Sequence, residues 1–266
     1  NGAGSYIRIS GTQHMEAVSS MPDWLAQMLH NLILTGQCTD ITLELNDSMM
    51  TQVLDSGTVS TSSDFVLAGT CTTSFQTSGA NRSNNIVVGA SRLNNLIVLP
   101  GQTVSVSDTI LPRTRANGYK EAGVYVNGAH TSGLGGGVCQ ISSTVYNAVK
   151  NAGLTVVQRN PHSMPVSYLP KGLDAAIAAG SKDLKFRNDY TTPVVLYTDT
   201  SNKHLTVNVL VWNQELAGRS FKLWAKQTGA LSADTYFTTY QDGKEVSTQF
   251  VGTSRYNPYR EAVSND

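Results

Sequence analysis

The stretch "GLGGGVCQISSTVYNAVKNAG", from Gly133 to Gly153, leads a run of glycines into one cysteine and then into a helical pattern. Ile141, Val145, Ala148, Val149 and Ala152 share one helical face, so a helix is expected from Gln140 to Ala152, capped by Ser142 or Ser143 and ended by Gly153. Gly135, Gly136 and Gly137 permit positive φ and close backbone approach, which lets the chain turn tightly and aim several amide N–H groups at one spot. Cys139 at this junction has two readings. In the field of a helix N-terminus its pKa can fall from about 8.5 into a range of about 3.5 to 7.5, which supplies thiolate near neutral pH. Alternatively it is a small apolar residue packed at a crowded bend.

Outward from this junction the chain reads mainly as strand. "FVLAG" from Phe65, "NLIVLPGQTVSVS", "GVYVNG", "LTVVQRN" and "TPVVLYT" are short β-like runs bounded by Gly, Pro or Asn. "SNNIVVGASRLNN" is ambiguous, because Ile86, Val87, Ala90 and Leu93 keep helical spacing while valine favours strand. After Leu205 the pattern is purely β, and Asp242-Gly243 between two alternating runs signals a hairpin. On the N-terminal side, His14 to Leu34 reads as helical, interrupted at Pro22, and Ile41, Leu43 and Leu45 alternate as a strand. The expected fold class is α+β: mixed, mainly β sheets with few helices and a small helical N-terminal segment. The divisions expected are 1–64, 65–204 and 205–266.

Composition narrows the function classes. With 19 basic against 19 acidic side chains among 266 residues, the chain has no electrostatic footprint for nucleic acid or for an anionic membrane surface. No apolar run reaches the length of a membrane span, and Leu25 to Leu34 is broken by Gln27, His30 and Asn31. The sequence starts without a signal segment, so an exported form is expected to have lost an upstream one, and with it any membrane anchor. The five histidines have no HxH or HExxH spacing, and no CxxC occurs, so no metal is expected. Walker and dinucleotide fingerprints are missing, which argues against nucleotides and leaves no cofactor. Cys38 and Cys71 either pair in an oxidising compartment, leaving Cys139 as the lone thiol, or all three stay reduced.

Five segments occur in a diagnostic order: "NRSNNI" from Asn81, "LPGQTVSVSDTILPRTRANGYKEA" from Leu99, "GGGVCQISSTVYNAVKNAGL" from Gly135, "NPHSMPVSYLPKGLDAAI" from Asn160 and "DLKFRN" from Asp183. Together they resemble the VanW family, named for an accessory protein of glycopeptide-resistance gene clusters, over roughly Thr73 to Tyr197. "DGKEV" followed by "SRYNP" is similar to the β extension that relatives carry after the domain. The resemblance implies an exported, extracellular or cell-envelope protein associated with vancomycin resistance, a location that makes peptidoglycan or its stem peptides the expected partner; abundant Ser, Thr, Asn and Gly with scarce Lys and Glu fits secreted proteins of Gram-positive bacteria. The reaction has to be read from the residues.

A cysteine nucleophile needs a base, and His162 in "NPHSMP" follows Cys139 in the order used by papain-like peptidases. Asp174, Asp183 or Asn160 is expected to orient the imidazole, and the Gln140 side chain to join free amides around a developing oxyanion. Arg82, Arg113 and Arg115 suit forked hydrogen bonds to a peptide carboxylate. Tyr119, Tyr146 and Tyr168 are candidate groove walls, with Gly136, Gly137, Ser142 and Ser163 as further ligand contacts; for each tyrosine a core position with one wet end is the alternative. Three functions remain open: recognition of cell-wall peptide without turnover, a cysteine peptidase or transpeptidase acting through Cys139 and His162, and a structural or assembly role.

Overall fold

The computed structural model describes residues 65–126, 129–178 and 180–258, together with the backbone of three upstream strands. Those strands, β1 (Ser5–Ser10), β2 (His14–Ala17) and β3 (Ile41–Leu45), form an antiparallel sheet in the order β2-β1-β3. The alternation at Ile41, Leu43 and Leu45 is thus a strand. His14–Ala17 is extended and not the start of a helix, because it pairs with Ile7 to Ser10; the remainder of the expected N-terminal helix lies outside the described residues.

From β4 (Phe65–Ser74) the chain enters α1 (Ala80–Ser91), and the ambiguous valine-containing run is therefore helical. Short strands β5 (Leu96–Val98) and β6 (Thr103–Ser105) lead to a single turn, α2 (Val106–Thr109). The hairpin β7 (Glu121–Val126) and β8 (Ala129–Leu134) then delivers the glycine run to α3 (Val138–Asn151). Beyond it come β9 (Thr155–Gln158), β10 (Lys185–Arg187), β11 (Val194–Asp199), β12 (His204–Trp212) and the turn α4 (Asn213–Leu216). A meander of β13 (Arg219–Gly229), β14 (Ser232–Gln241) and β15 (Lys244–Arg255) closes the described chain. Four described helices among many strands agree with the expected mainly β, α+β class.

The principal sheet is antiparallel in the order β4-β12-β11-β5. β12 begins at His204, so the expected division at 204/205 falls at the first pair of a strand that the sheet places in its interior. Helix α3 packs on β4 and β12, on α1 and on β13, and Val138 and every residue from Gln140 to Val149 are buried. A helix enclosed all round carries polar side chains only where each finds a partner. Thr144 donates to the Gln140 carbonyl at 2.7 Å and meets Thr73 of β4 at 2.9 Å, while Asn147 donates to the carbonyls of Ser143 and Leu173 at 2.8 and 2.7 Å. α3 is the axis of a core that includes Ile86, Ile141, Val145, Leu154, Phe186 and Val207, all 0 or 1% exposed.

The Asp242-Gly243 hairpin forms as expected, with both residues at positive φ (50° and 77°) between β14 and β15.

Candidate active site

The glycine run does what a tight strand-to-helix turn requires. Gly137 sits at φ +110° as the N-cap of α3, a conformation that a residue with a Cβ adopts only under strain. Gly136 lies so close to β7 that a Cβ would stand 2.6 Å from the Gly123 carbonyl oxygen. Ser142 and Ser143 do not cap the helix, since the helix begins at Val138 and places both inside it. Their hydroxyls instead tie α3 to the loop that follows β9: Ser142 donates to the Ala175 carbonyl at 2.6 Å, and Ser143 accepts from the Ala175 amide at 2.9 Å.

That loop carries His162 and Asp174, and the stitching brings both to the mouth of α3. The His162 ring Nδ1 is 2.7 Å from Asp174 Oδ2, which also accepts the His162 backbone amide at 2.6 Å. With Nδ1 engaged by Asp174, the imidazole lies within hydrogen-bonding and electrostatic reach of Cys139, whose thiol donates to the Ile177 carbonyl at 3.3 Å. His162 thus stands between the Asp174 carboxylate that holds its ring and the Cys139 thiol whose charge it influences. Asp174 is 1% exposed in its side chain, His162 19%, and Cys139 is partly open to solvent. Asp183 does not share this role: it accepts from the Ser105 hydroxyl at 2.6 Å and the Ser107 amide at 3.0 Å, which fixes the start of α2. Asn160 donates to the Asp183 carbonyl at 3.0 Å.

Charges cluster so that each group favours its ionised form. Burial alone would push the Cys139 thiol up, but the His162 hydrogen bond and charge, a backbone hydrogen bond at Ile177 and the Arg113 guanidinium bring it below its ordinary value. Burial works against protonated His162 as well, yet the hydrogen bonds to Asp174 and Cys139 and their charges raise it from 6.5 to about 9. Asp174 is opposed by burial and lowered by its bonds to His162 and Tyr256 and by Arg159. The arrangement favours a thiolate beside an imidazolium, the reactive form of a cysteine nucleophile. By contrast, burial lifts the Cys71 thiol to about 12, so among the described residues this second cysteine stays protonated; Cys38, and with it the expected pairing, lies outside the described residues.

The remaining expected residues divide. Gln140 is not an oxyanion donor: it is 1% exposed, its Nε2 donates to Thr73 and to the Ser74 carbonyl, both at 3.0 Å, and its Oε1 accepts from Arg82 at 2.8 Å. Among the described residues no carbonyl takes the Cys139 amide, while those of Val138 and Gln140 bond Gly135 and Gly137. That amide belongs to the first turn of α3, where the opening amides of a helix have no intrahelical carbonyl. Arg82 is spent on Gln140 and Ser78 but remains in the electrostatic field of Cys139 and Tyr168. Arg113 lies along Gly135, acts on Cys139 and, among the described residues, has no ion pair. Arg115 is an exposed ion pair with Glu121.

Tyr119 and Tyr146 do not present their rings to a groove at Cys139. Tyr119 is buried and donates to the Ile110 carbonyl at 2.8 Å, and Tyr146 is buried beneath the Arg159 guanidinium. Tyr168 does belong to the site, half-buried, 3.4 Å from the Ser143 hydroxyl and in the field of Cys139. Ser163 is exposed beside His162, and its carbonyl accepts the Asn257 amide at 2.7 Å. Gly136 and Gly137 shape the turn, and Ser142 is fully buried. Two participants were not anticipated, Arg159 and Tyr256, both of which contact Asp174. Nothing in their spacing marks them, although Tyr256 lies in the "SRYNP" segment already singled out.

Residues 81–210 match the family model described as "VanW like protein". Over 128 residues the chain is 42% identical to YoaR of Bacillus subtilis (strain 168), a match covering 48% of this chain and 42% of that protein. Over 114 residues it is 35% identical to the Vancomycin B-type resistance protein VanW of Enterococcus faecalis (strain ATCC 700802 / V583), covering 41% of this chain and 42% of the relative. The matched part thus spans less than half the length of these relatives. No solved structure matches the chain.

Proposed function

We propose, from the match of residues 81–210 to the VanW-like family model and from the geometry of the site, that the protein is an extracellular cysteine acyl-transferase of cell-wall stem peptides, a transpeptidase built on Cys139, His162 and Asp174. The observation that carries the reading is the buried carboxylate of Asp174 at 2.7 Å from the His162 ring, with the Cys139 thiol within reach of the same imidazole. A purely architectural cysteine has no use for a buried ionised base beside it, since taking charges out of water is costly unless they serve one another. The cell-wall assignment is supported by the relative named as a Vancomycin B-type resistance protein.

In the reaction, the Cys139 thiolate attacks a peptide carbonyl carbon of the donor, and the Cys139 amide stabilises the oxyanion. The C–N bond breaks, and the leaving amine takes its proton from the His162 imidazolium. The resulting thioester is attacked by the amine of an acceptor peptide, which passes its proton to His162. The C–S bond then breaks, giving a new amide and the thiolate again. Asp174 keeps the imidazole oriented throughout without accepting the proton. Arg113 supplies a charge for a donor carboxylate close to the sulfur.

The test is incubation with purified muropeptides. Intact-mass analysis is expected to show an acyl adduct on the native protein and none on Cys139→Ala, and chromatography to show cross-linked dimers. Arg113→Ala is expected to weaken turnover of donors with a free carboxylate about tenfold and to leave amidated donors less affected. Trimmed monomers in place of dimers would make the protein a hydrolase. Saturable muropeptide binding without adduct, unchanged in Cys139→Ala, would replace the enzyme reading with a binding module.

A further inference from the structure

Asp174 divides its two oxygens between different tasks. Oδ2 serves His162 through both ring and backbone, whereas Oδ1 accepts from the Tyr256 hydroxyl at 2.5 Å and lies 3.4 Å from the Arg159 guanidinium. Tyr256 follows the last residue of β15 and lies beyond the segment that matches the family model. It is 6% exposed, and its hydroxyl also accepts the Gly172 amide at 2.6 Å. A phenol that accepts one hydrogen bond and donates another is fixed in rotation, so its proton points at the carboxylate.

The surrounding bonds show that this is a docked surface and not a single contact. The Tyr256 amide donates to the Leu231 carbonyl at 2.8 Å in the β13–β14 turn, and the next amide, of Asn257, donates to the Ser163 carbonyl at 2.7 Å, one residue past His162. Thr235 of β14 donates to the Gly172 carbonyl at 2.9 Å. Arg159 bridges the same elements, donating to the Ser254 hydroxyl of β15 at 3.0 Å and to the carbonyls of Asp174 and Gly172 at 2.7 and 3.1 Å. The C-terminal sheet thus grips the loop on both sides of the imidazole and holds the acid's outer oxygen.

Resting on the triad reading above, we infer that Tyr256 is a positioning residue of the site, and that the C-terminal meander is the part of the molecule that sets the orientation of the Asp174 carboxylate toward His162. A carboxylate held at one oxygen by a phenol cannot swing that oxygen toward the imidazole. Oδ2 stays aimed at Nδ1, and the Tyr256 hydrogen bond favours the ionised acid. Removing the hydroxyl frees the carboxylate to rotate, weakens its hold on the imidazolium, and so destabilises the thiolate that the imidazolium supports.

The experiment is the pH–rate profile of Cys139 alkylation by iodoacetamide on the full chain, read for the native protein, Tyr256→Phe, Asp174→Asn and Cys139→Ala, with thermal unfolding of each. Tyr256→Phe is expected to move the acid limb of the profile to higher pH and to lower the rate at neutral pH about three- to tenfold, in the direction of Asp174→Asn but by less. A general loss of stability would change the unfolding temperature without moving that limb. A folded Tyr256→Phe protein whose profile superimposes on the native one overturns the inference while leaving the triad intact. A native profile with the limb of an ordinary thiol overturns the triad itself, and the inference with it. Should Tyr256→Phe not fold, the profile is read on Ser254→Ala, which releases Arg159 from the C-terminal sheet; no movement of the limb there also overturns the inference.

Discussion

Cys139 and His162 each make the other's charged form more stable. Iodoacetamide is therefore expected to alkylate Cys139 near pH 7 at least tenfold faster than a free cysteine, and His162→Ala to remove most of that advantage. Stability follows the same linkage. His162 is raised from 6.5 to about 9, so its contribution is fully present below the unfolded value and is lost as pH rises through about 9. Cys139 and Asp174 are lowered, so their contributions are present above their unfolded values of 9.0 and 3.8 and are lost as pH falls through their folded values. The difference in unfolding temperature between the native protein and His162→Ala is therefore expected to shrink between pH 6.5 and about 9. A difference that grew over that range would mean His162 is neutral in the folded state.

On the scale of elements, the site depends on how α3 is joined to the loop after β9. The pattern of apolar residues identified α3, and the glycines identified its abrupt start, because both are local properties of the chain. The sequence offers Ser142 or Ser143 as a cap, since serine at a helix start usually serves that purpose. The structure sends their hydroxyls to Ala175 instead, a partner more than thirty residues away. Ser142→Ala leaves the buried Ala175 carbonyl without that donor and is expected to cost about 1–3 kcal/mol in denaturant unfolding. If that substitution proves neutral, the stitch does not hold the loop. Gly136→Ala places a methyl against the β7 backbone and is expected to destabilise the protein further, with loss of Cys139 reactivity in whatever fraction remains folded.

Across the whole molecule, protection from solvent is uneven. α3 and β12 are buried along most of their length, whereas β15 is exposed over most of its residues. Native-state hydrogen exchange is expected to find the amides of Ile141 to Val149 opening only with global unfolding, and those of Val246 to Val251 opening at lower free energy. Equal protection in both segments would show that the meander and the core unfold as one unit. If β15 opens separately, the hold of Tyr256 on Asp174 opens with it, and the reactivity of Cys139 tracks that local equilibrium.

Several features were determined by the sequence alone: the helix behind the glycine run, the hairpin at Asp242-Gly243, the mainly β character, and the candidacy of Cys139 and His162 for one site. Each depends on local periodicity, turn chemistry or the scarcity of alternatives. Only the tertiary structure decided that Asp174 and not Asp183 or Asn160 faces the imidazole, that Gln140, Tyr119 and Tyr146 are committed to the interior, and that Arg159 and Tyr256 hold the acid. Those choices turn on which carbonyl, carboxylate or hydroxyl comes within about 3 Å after the chain has closed on itself. Sequence spacing carries no measure of that distance when the partners are as far apart as Asp174 and Tyr256.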